Sequence, residues 1–132
     1  MKLSTRSCYG TRLMVDLAHN YNEGFVQMGD IAKRHSISVK YLEQLIVSLK
    51  KANLVESVRG PRGGHKLAKA PSDITMGEIV DVLEHGINLS RCVDNPGTCK
   101  KADLCQTRDV WHIATRAFYD KLNSIKLSEM IE

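Results

Sequence analysis

A chain of 132 residues, 42% hydrophobic and 26% charged, suffices for one ordinary domain with an appendage and buries a core without help from disulfides. It has no apolar run of about eighteen residues, which excludes a transmembrane helix, and Met1-Lys2-Leu3-Ser4-Thr5-Arg6 lacks the apolar stretch of a signal peptide, so a cytoplasmic, reducing location is expected. Net charge is +4, but residues 1–70 carry 12 Lys/Arg against 5 Asp/Glu while residues 71–132 carry 7 against 10. A basic first part beside a mildly acidic second part suggests a polyanion-binding unit followed by something else.

The first predicted helix opens at a cap on Ser4 or Thr5. Tyr9, Leu13, Met14, Leu17 and Ala18 form its apolar stripe, and Cys8, Arg12, Asp16 and His19 its polar face. A thiol on a polar face is not a core filler. Asn20 to Gly24 reads as a turn. A short helix from Met28 to His35 turns Ile31 and Ala32 inward. After Ser36-Ile37-Ser38, a third helix runs from Val39 to about Ala52, with Val39, Leu42, Leu45, Ile46 and Leu49 as its apolar stripe and Ser38 at its N-cap. Two helices joined by a three-residue turn form a helix-turn-helix pattern, which many helical hairpins share.

The next segment strengthens that reading. Leu54 to Val58 alternates like a strand, Arg59-Gly60-Pro61-Arg62-Gly63-Gly64 turns, and His65 to Ala68 returns, which is the wing of a winged helix. Arg59 and Arg62 sit among glycines that let the backbone approach closely, suited to phosphates or a narrow minor groove. In the third helix, Ser38 and Tyr41 are expected to meet phosphates at the helix N-terminus, and Lys40, Glu43 and Gln44 to point towards base edges.

Pro71 to Thr75 is a linker ending at a cap. A fourth helix from Met76 to His85 faces Ile79, Val82 and Leu83 inward. The segment from about 86 to 105 contains Cys92, Cys99 and Cys105 on a polar, turn-rich stretch, which reads as a thiolate nest for a metal or an iron–sulfur cluster. The plainer readings are a disulfide with a spare thiol, or a structural zinc site that lacks a Cys-x-x-Cys knuckle. A long helix from about Gln106 to Asn123 follows, with Val110, Ile113, Ala114, Ala117, Phe118, Leu122 and Ile125 on its apolar side. Trp111, Phe118, Leu122 and Ile125 are expected to need cover from a second copy of the chain. The expected architecture is therefore mainly α with a small β-hairpin wing. Residues 1–70 form a winged helix-turn-helix unit, and residues 71–132 a linker helix, cysteine loop and dimerisation helix.

Three segments carry a family resemblance: Met1-Lys2-Leu3-Ser4-Thr5 with Tyr9-Gly10, Tyr41-Leu42-Glu43-Gln44-Leu45, and Val58-Arg59-Gly60-Pro61-Arg62-Gly63-Gly64. Through them the chain resembles the Rrf-two (Rrf2) family of bacterial winged-helix regulators. That family includes an iron–sulfur-cluster regulator, a nitric-oxide-sensitive repressor and a cysteine-metabolism repressor. The resemblance implies a homodimer with crossed C-terminal helices, bound to a palindromic operator in double-stranded DNA. It also implies that Cys92, Cys99 and Cys105 hold an iron–sulfur cluster, [2Fe-2S] or [4Fe-4S], and that Glu43 tunes which operators are accepted.

The chain departs from its relatives at two places. The first cysteine spacer has six residues where five is commonest, and Arg108 stands where the iron–sulfur-cluster regulator has a ligand histidine. In the nitric-oxide-sensitive type the fourth ligand comes from the first helix of the other subunit, at the place held here by Cys8. Cys8 in trans is thus the natural fourth ligand, with His112 its competitor. A cluster-free repressor acting through thiol chemistry or a partner enzyme is the alternative, although the cysteine-metabolism repressor lacks the cysteine triplet. An electron carrier or an enzyme is disfavoured, because no nucleotide-binding glycine pattern or catalytic-triad spacing is present.

Overall fold

The computed structural model describes residues 2–87, 89, 97 and 104–132. Among these residues the chain forms five α-helices and one antiparallel hairpin: α1 Thr5–His19, α2 Met28–His35, α3 Val39–Lys51, β1 Val55–Val58, β2 Gly64–Leu67, α4 Met76–Glu84 and α5 Gln106–Asn123. This is the expected mainly helical fold with a two-stranded wing. Short 3₁₀ turns at Pro71–Asp73 and Leu127–Met130 lie against each other.

Two of the helices begin at side-chain caps. The Ser38 hydroxyl accepts the Tyr41 N–H at 3.1 Å and satisfies one of the orphan donors of α3. Thr75 and Glu78 form a reciprocal capping box at the start of α4, with bonds of 3.1 and 2.9 Å. Between α2 and α3 the chain reverses at Ser36, whose φ of 54° is left-handed, and Ile37 N–H donates back to the Ala32 carbonyl. That reversal creates the tight helix-turn-helix angle.

The core is one cluster in which Leu13, Met14 and Leu17 of α1 meet Ile31 of α2, Leu42, Leu45, Ile46 and Leu49 of α3, and Ile79 and Leu83 of α4. Apolar burial on this scale supplies the main favourable term of folding. Gly10 permits the closest approach, since a Cβ there would overlap the Leu83 side chain. Strand β1 pairs with β2 from Val55↔Leu67 to Val58↔Gly64. An isolated bridge, Val26↔His65, adds a third, very short rung on the outer side of β2.

The structure corrects three sequence expectations. Val39, expected on the apolar stripe, is 41% exposed, because the first residue of α3 lies beyond the edge of the core. Asp16 was assigned to the polar face of α1, yet it is only 6% exposed and is bonded by Arg34 and His35 from the end of α2. Leu122 and Ile125 do not await a second copy: both lean on the chain's own core. The segment after α5 folds back there, with Ile125 C=O accepting from Met76 N–H and Leu127 N–H donating to Ile74 C=O, both at 2.8 Å. Leu127 is completely buried as a result.

Candidate nucleic-acid interface and cysteine site

Lys40, Glu43 and Gln44 are exposed on the outer face of α3, with Ser38 exposed at its N-terminus. The same face continues through Val47, which is exposed, to Lys50, at the helical spacing of four and then three residues from Glu43. Tyr41 is placed differently from its neighbours. It is half-buried against α1, its hydroxyl 3.3 Å from Thr5 Oγ1 and its ring edge-on to Tyr9 at 5.9 Å between centroids. The Arg12 guanidinium lies over the Tyr9 ring at 5.5 Å.

The wing holds Arg59 and Arg62 exposed at its tip. Its geometry depends on glycine: Gly60 has φ of 114°, and Gly64 has φ of 142° with its would-be Cβ 2.5 Å from the Val26 carbonyl oxygen. The Gln27 side-chain amide donates to the Gly63 carbonyl, tying the tip to the start of α2. Behind the tip, His65 Nδ1 and Ser57 Oγ are 2.6 Å apart. Burial pushes the His65 pKa down, the nearby Lys50 charge pushes the same way, and Glu43 opposes them. Lys50, Arg59, Gln27, Ser57 and His65 line one cleft between α3 and the wing. Lys50 is missing from the contacts expected of the third helix, which end at Gln44. Extending the Glu43–Val47–Lys50 spacing by one turn finds it.

The cysteine segment leaves α4 through His85, with a left-handed φ of 56°, and Gly86, with φ of 94°. Its first residues are pinned to α5. Ile87 N–H donates to Tyr119 Oη at 2.6 Å, Tyr119 O–H donates to Asp81 Oδ1 at 2.7 Å, and Leu89 N–H donates to Thr115 Oγ1 at 3.3 Å. Burial, reinforced by the bond to Asp81, pushes the Tyr119 pKa up to about 12, so the phenol stays a donor. At the other end, Cys105 occupies the N-cap position of α5 and is partly exposed, its Sγ 2.9 Å from Thr107 Oγ1. The Thr107 hydroxyl and the first-turn N–H groups of Arg108 and Thr107 hold this thiol below its ordinary pKa, against slight burial and the Asp109 charge.

Cys92 and Cys99 lie outside the described residues. Cys8 is exposed on α1, as its place on the polar face predicts, and His112 is exposed on α5. Among the described residues no three His, Cys, Asp or Glu side chains converge on a metal-sized site. Of the four cysteines, the structure therefore describes two, and Cys105 fits a soft metal centre by chemistry: it is an accessible thiol whose surroundings favour the thiolate, the form that ligates iron.

The model of the Rrf2 family, described as an iron-dependent transcriptional regulator, matches residues 3–132. The chain belongs to the Rrf2 family. Protein rrf2 of Nitratidesulfovibrio vulgaris is 42% identical over 131 residues, covering 99% of this chain and 87% of that protein. The HTH-type transcriptional regulator IscR of Klebsiella pneumoniae is 37% identical over 131 residues, covering 99% of this chain and 80% of that one. Among solved structures, T. potens IscR aligns with a TM-score of 0.79 at 39% identity, covering 99% of this chain and 86% of that chain. CymR, the global cysteine regulator of B. subtilis, aligns with a TM-score of 0.80 at 34% identity, covering 99% and 96%. The winged-helix fold and the resemblance are thus borne out, and this Rrf2 member is a transcription regulator of a DNA-binding family. No helix among the described residues is long and apolar enough to cross a membrane.

Proposed function

We propose that this Rrf2 regulator reads a palindromic operator as a homodimer and senses iron–sulfur status, redox state or nitric oxide through a cluster held by Cys92, Cys99 and Cys105, with Cys8 of the partner subunit as fourth ligand. The observation that carries the sensor part is Cys105, an accessible thiol of lowered pKa at the N-terminus of α5. A bound cluster would supply a cross-link that responds to iron and to oxidants. Everything else falls to the chain itself. Lys40, Glu43 and Gln44 present an exposed polar face to base edges, while Ser38, Lys50, Arg59 and Arg62 supply phosphate and groove contacts on either side. Tyr41, packed on α1, acts mainly to fix the angle of α3, with its edge left to the phosphate backbone.

The homodimer rests on α5. Val110 is 54% exposed and Ile113, one turn on and on the same side, 68%, an apolar pair of the kind that a second copy covers. On this reading residues 1–70 read DNA and residues 71–132 sense and assemble, while the two parts share one core.

A cluster-free reading is kept alive by one observation: CymR superposes as well as IscR, so the backbone favours neither. The donor set favours the cluster, because three cysteines lie within fourteen residues of sequence and the two described ones, Cys8 and Cys105, are free thiols with solvent access. The test is anaerobic purification, followed by operator binding of cluster-loaded and cluster-free protein to a duplex selected from a random pool. A brown protein whose two forms differ in affinity supports the proposal. A colourless protein that binds the selected duplex supports the cluster-free reading, and a brown protein with no DNA affinity overturns both.

A further inference from the structure

Glu84, the last residue of α4, reaches out of its helix to the start of α1. Its Oε1 accepts from Ser4 N–H at 2.8 Å, Ser4 Oγ at 2.7 Å and Ser7 Oγ at 2.5 Å. Arg6 Nε adds a bond of 3.0 Å to the neighbouring Leu83 carbonyl. Ser7 is fully buried, and Gly10 lets α1 lie directly on Leu83. The first turns of α1 are thereby fastened to the residue that stands three positions before Ile87, where the cysteine segment is pinned to Tyr119. The other side of the same turns touches the recognition helix, through Thr5 and Tyr9 to Tyr41. Between the two contacts sits Cys8, pointing outward.

We infer that Glu84 is a positioning residue that couples the base of the cysteine segment to the recognition helix, through the Ser4/Ser7 clamp, α1 and Tyr41. This rests on the sensor reading above and names the route by which that sensor acts. Burial raises the Glu84 pKa, but the Ser7 and Ser4 hydrogen bonds and the Arg6 charge outweigh it, so the carboxylate stays ionised as an acceptor. Three charge-assisted bonds converging on one oxygen, beside the close packing of Gly10 on Leu83, make a stiff joint between the two helix ends. A shift at the end of α4 must move Ser4 and Ser7 with it. Because Thr5 and Tyr9 belong to the same rigid helix, Tyr41 feels that movement.

Two measurements on the full chain test this in Glu84→Ala and Glu84→Gln proteins. Hydrogen–deuterium exchange on cluster-free protein should quicken at residues 5–10 and also at 38–45, leaving α2 and the far end of α5 unchanged. Glu84→Gln, which keeps one acceptor oxygen, should restore part of the protection. In the operator assay, the affinity ratio between loaded and cluster-free forms should fall to within about twofold of one, from the roughly 5–150-fold typical of coupled sites. Faster exchange confined to residues 5–10, or an unchanged affinity ratio in Glu84→Ala, overturns the inference. If the wild type shows no ratio to lose, the sensor reading has failed and the exchange pattern alone decides the matter. Should Glu84→Ala fail to fold, the Ser4→Ala/Ser7→Ala protein removes the same bonds from the donor side and must show the same two effects.

Discussion

Replacing Asp16 with Asn removes a charge from a nearly buried site without changing its volume. The carboxylate accepts from Arg34 Nε and Nη2 at 2.8 and 2.7 Å, meets His35 Nε2 at 2.8 Å, and accepts from Asn20 Nδ2 at 3.3 Å. A hydrogen bond to a charged group contributes about 1.5–3 kcal/mol net, so three strong ones set an upper bound well above the expected effect. The Arg34 side chain is 47% exposed and regains water when its partner goes, and the Asn carbonyl keeps one bond. The expected destabilisation is therefore about 2–3 kcal/mol, a fall in Tm on the order of 10 °C. Burial raises the Asp16 pKa, but the bonds and charges of Arg34 and His35 prevail and lower it. A carboxyl lowered on folding adds stability that is complete above its unfolded pKa and disappears as pH falls through its folded one. The gap between wild type and Asp16→Asn should thus be full at neutral pH and shrink once pH drops below the usual carboxylate range. Urea unfolding at one protein concentration, from neutral to acid pH, measures both. A variant within about 0.5 kcal/mol of wild type, or a gap that does not shrink in acid, would refute the reasoning.

Five further variants have expected outcomes. Gly64→Ala, with φ of 142° and no room beside the Val26 carbonyl, should cost about 1–3 kcal/mol and loosen the wing, seen as lower Tm together with weaker operator binding. Arg59→Ala should weaken operator binding by about 1–3 kcal/mol, whereas Lys50→Ala should weaken all duplexes alike and reduce the salt slope by about one. Unchanged affinity in Arg59→Ala at moderate salt removes the wing from the interface. Cys8→Ala loaded anaerobically should show altered absorption and faster cluster loss; identity with wild type in spectrum, iron content and stability would move attention to His112. Ile113→Asp, in the exposed apolar pair of α5, should shift sedimentation from dimer to monomer, and a variant that stays dimeric places the interface elsewhere.

Apolar period and polar caps made much of this fold readable in advance. The helices at 28–35 and 106–123 are legible from apolar period and the turn residues around them, and Ser38 from its place as a polar cap before an apolar stripe. The wing was legible for the same reason: glycine, proline and alternating strands specify a hairpin locally. The exposed polar face over Lys40, Glu43 and Gln44 followed from period alone.

What the sequence could not specify was partnership across distance. Asp16 has the spacing of a solvent residue, and only the approach of α2 makes it a buried anchor for Arg34 and His35. Leu122 and Ile125 lean on the core where the chain returns through Leu127, while Ile113, two and a half turns before Leu122 and so on the opposite side of α5, stays exposed; the apolar residues of this helix do not form one stripe, and only the docking shows which side is covered. Glu84 looked like the charged end of a short helix until Ser4 and Ser7, about eighty residues earlier, closed on its oxygen. Periodicity reports which face of an element is apolar, a property set by neighbours one turn apart. Which side chain that face meets depends on how the elements dock, and the energy that fixes the docking is summed over the whole core.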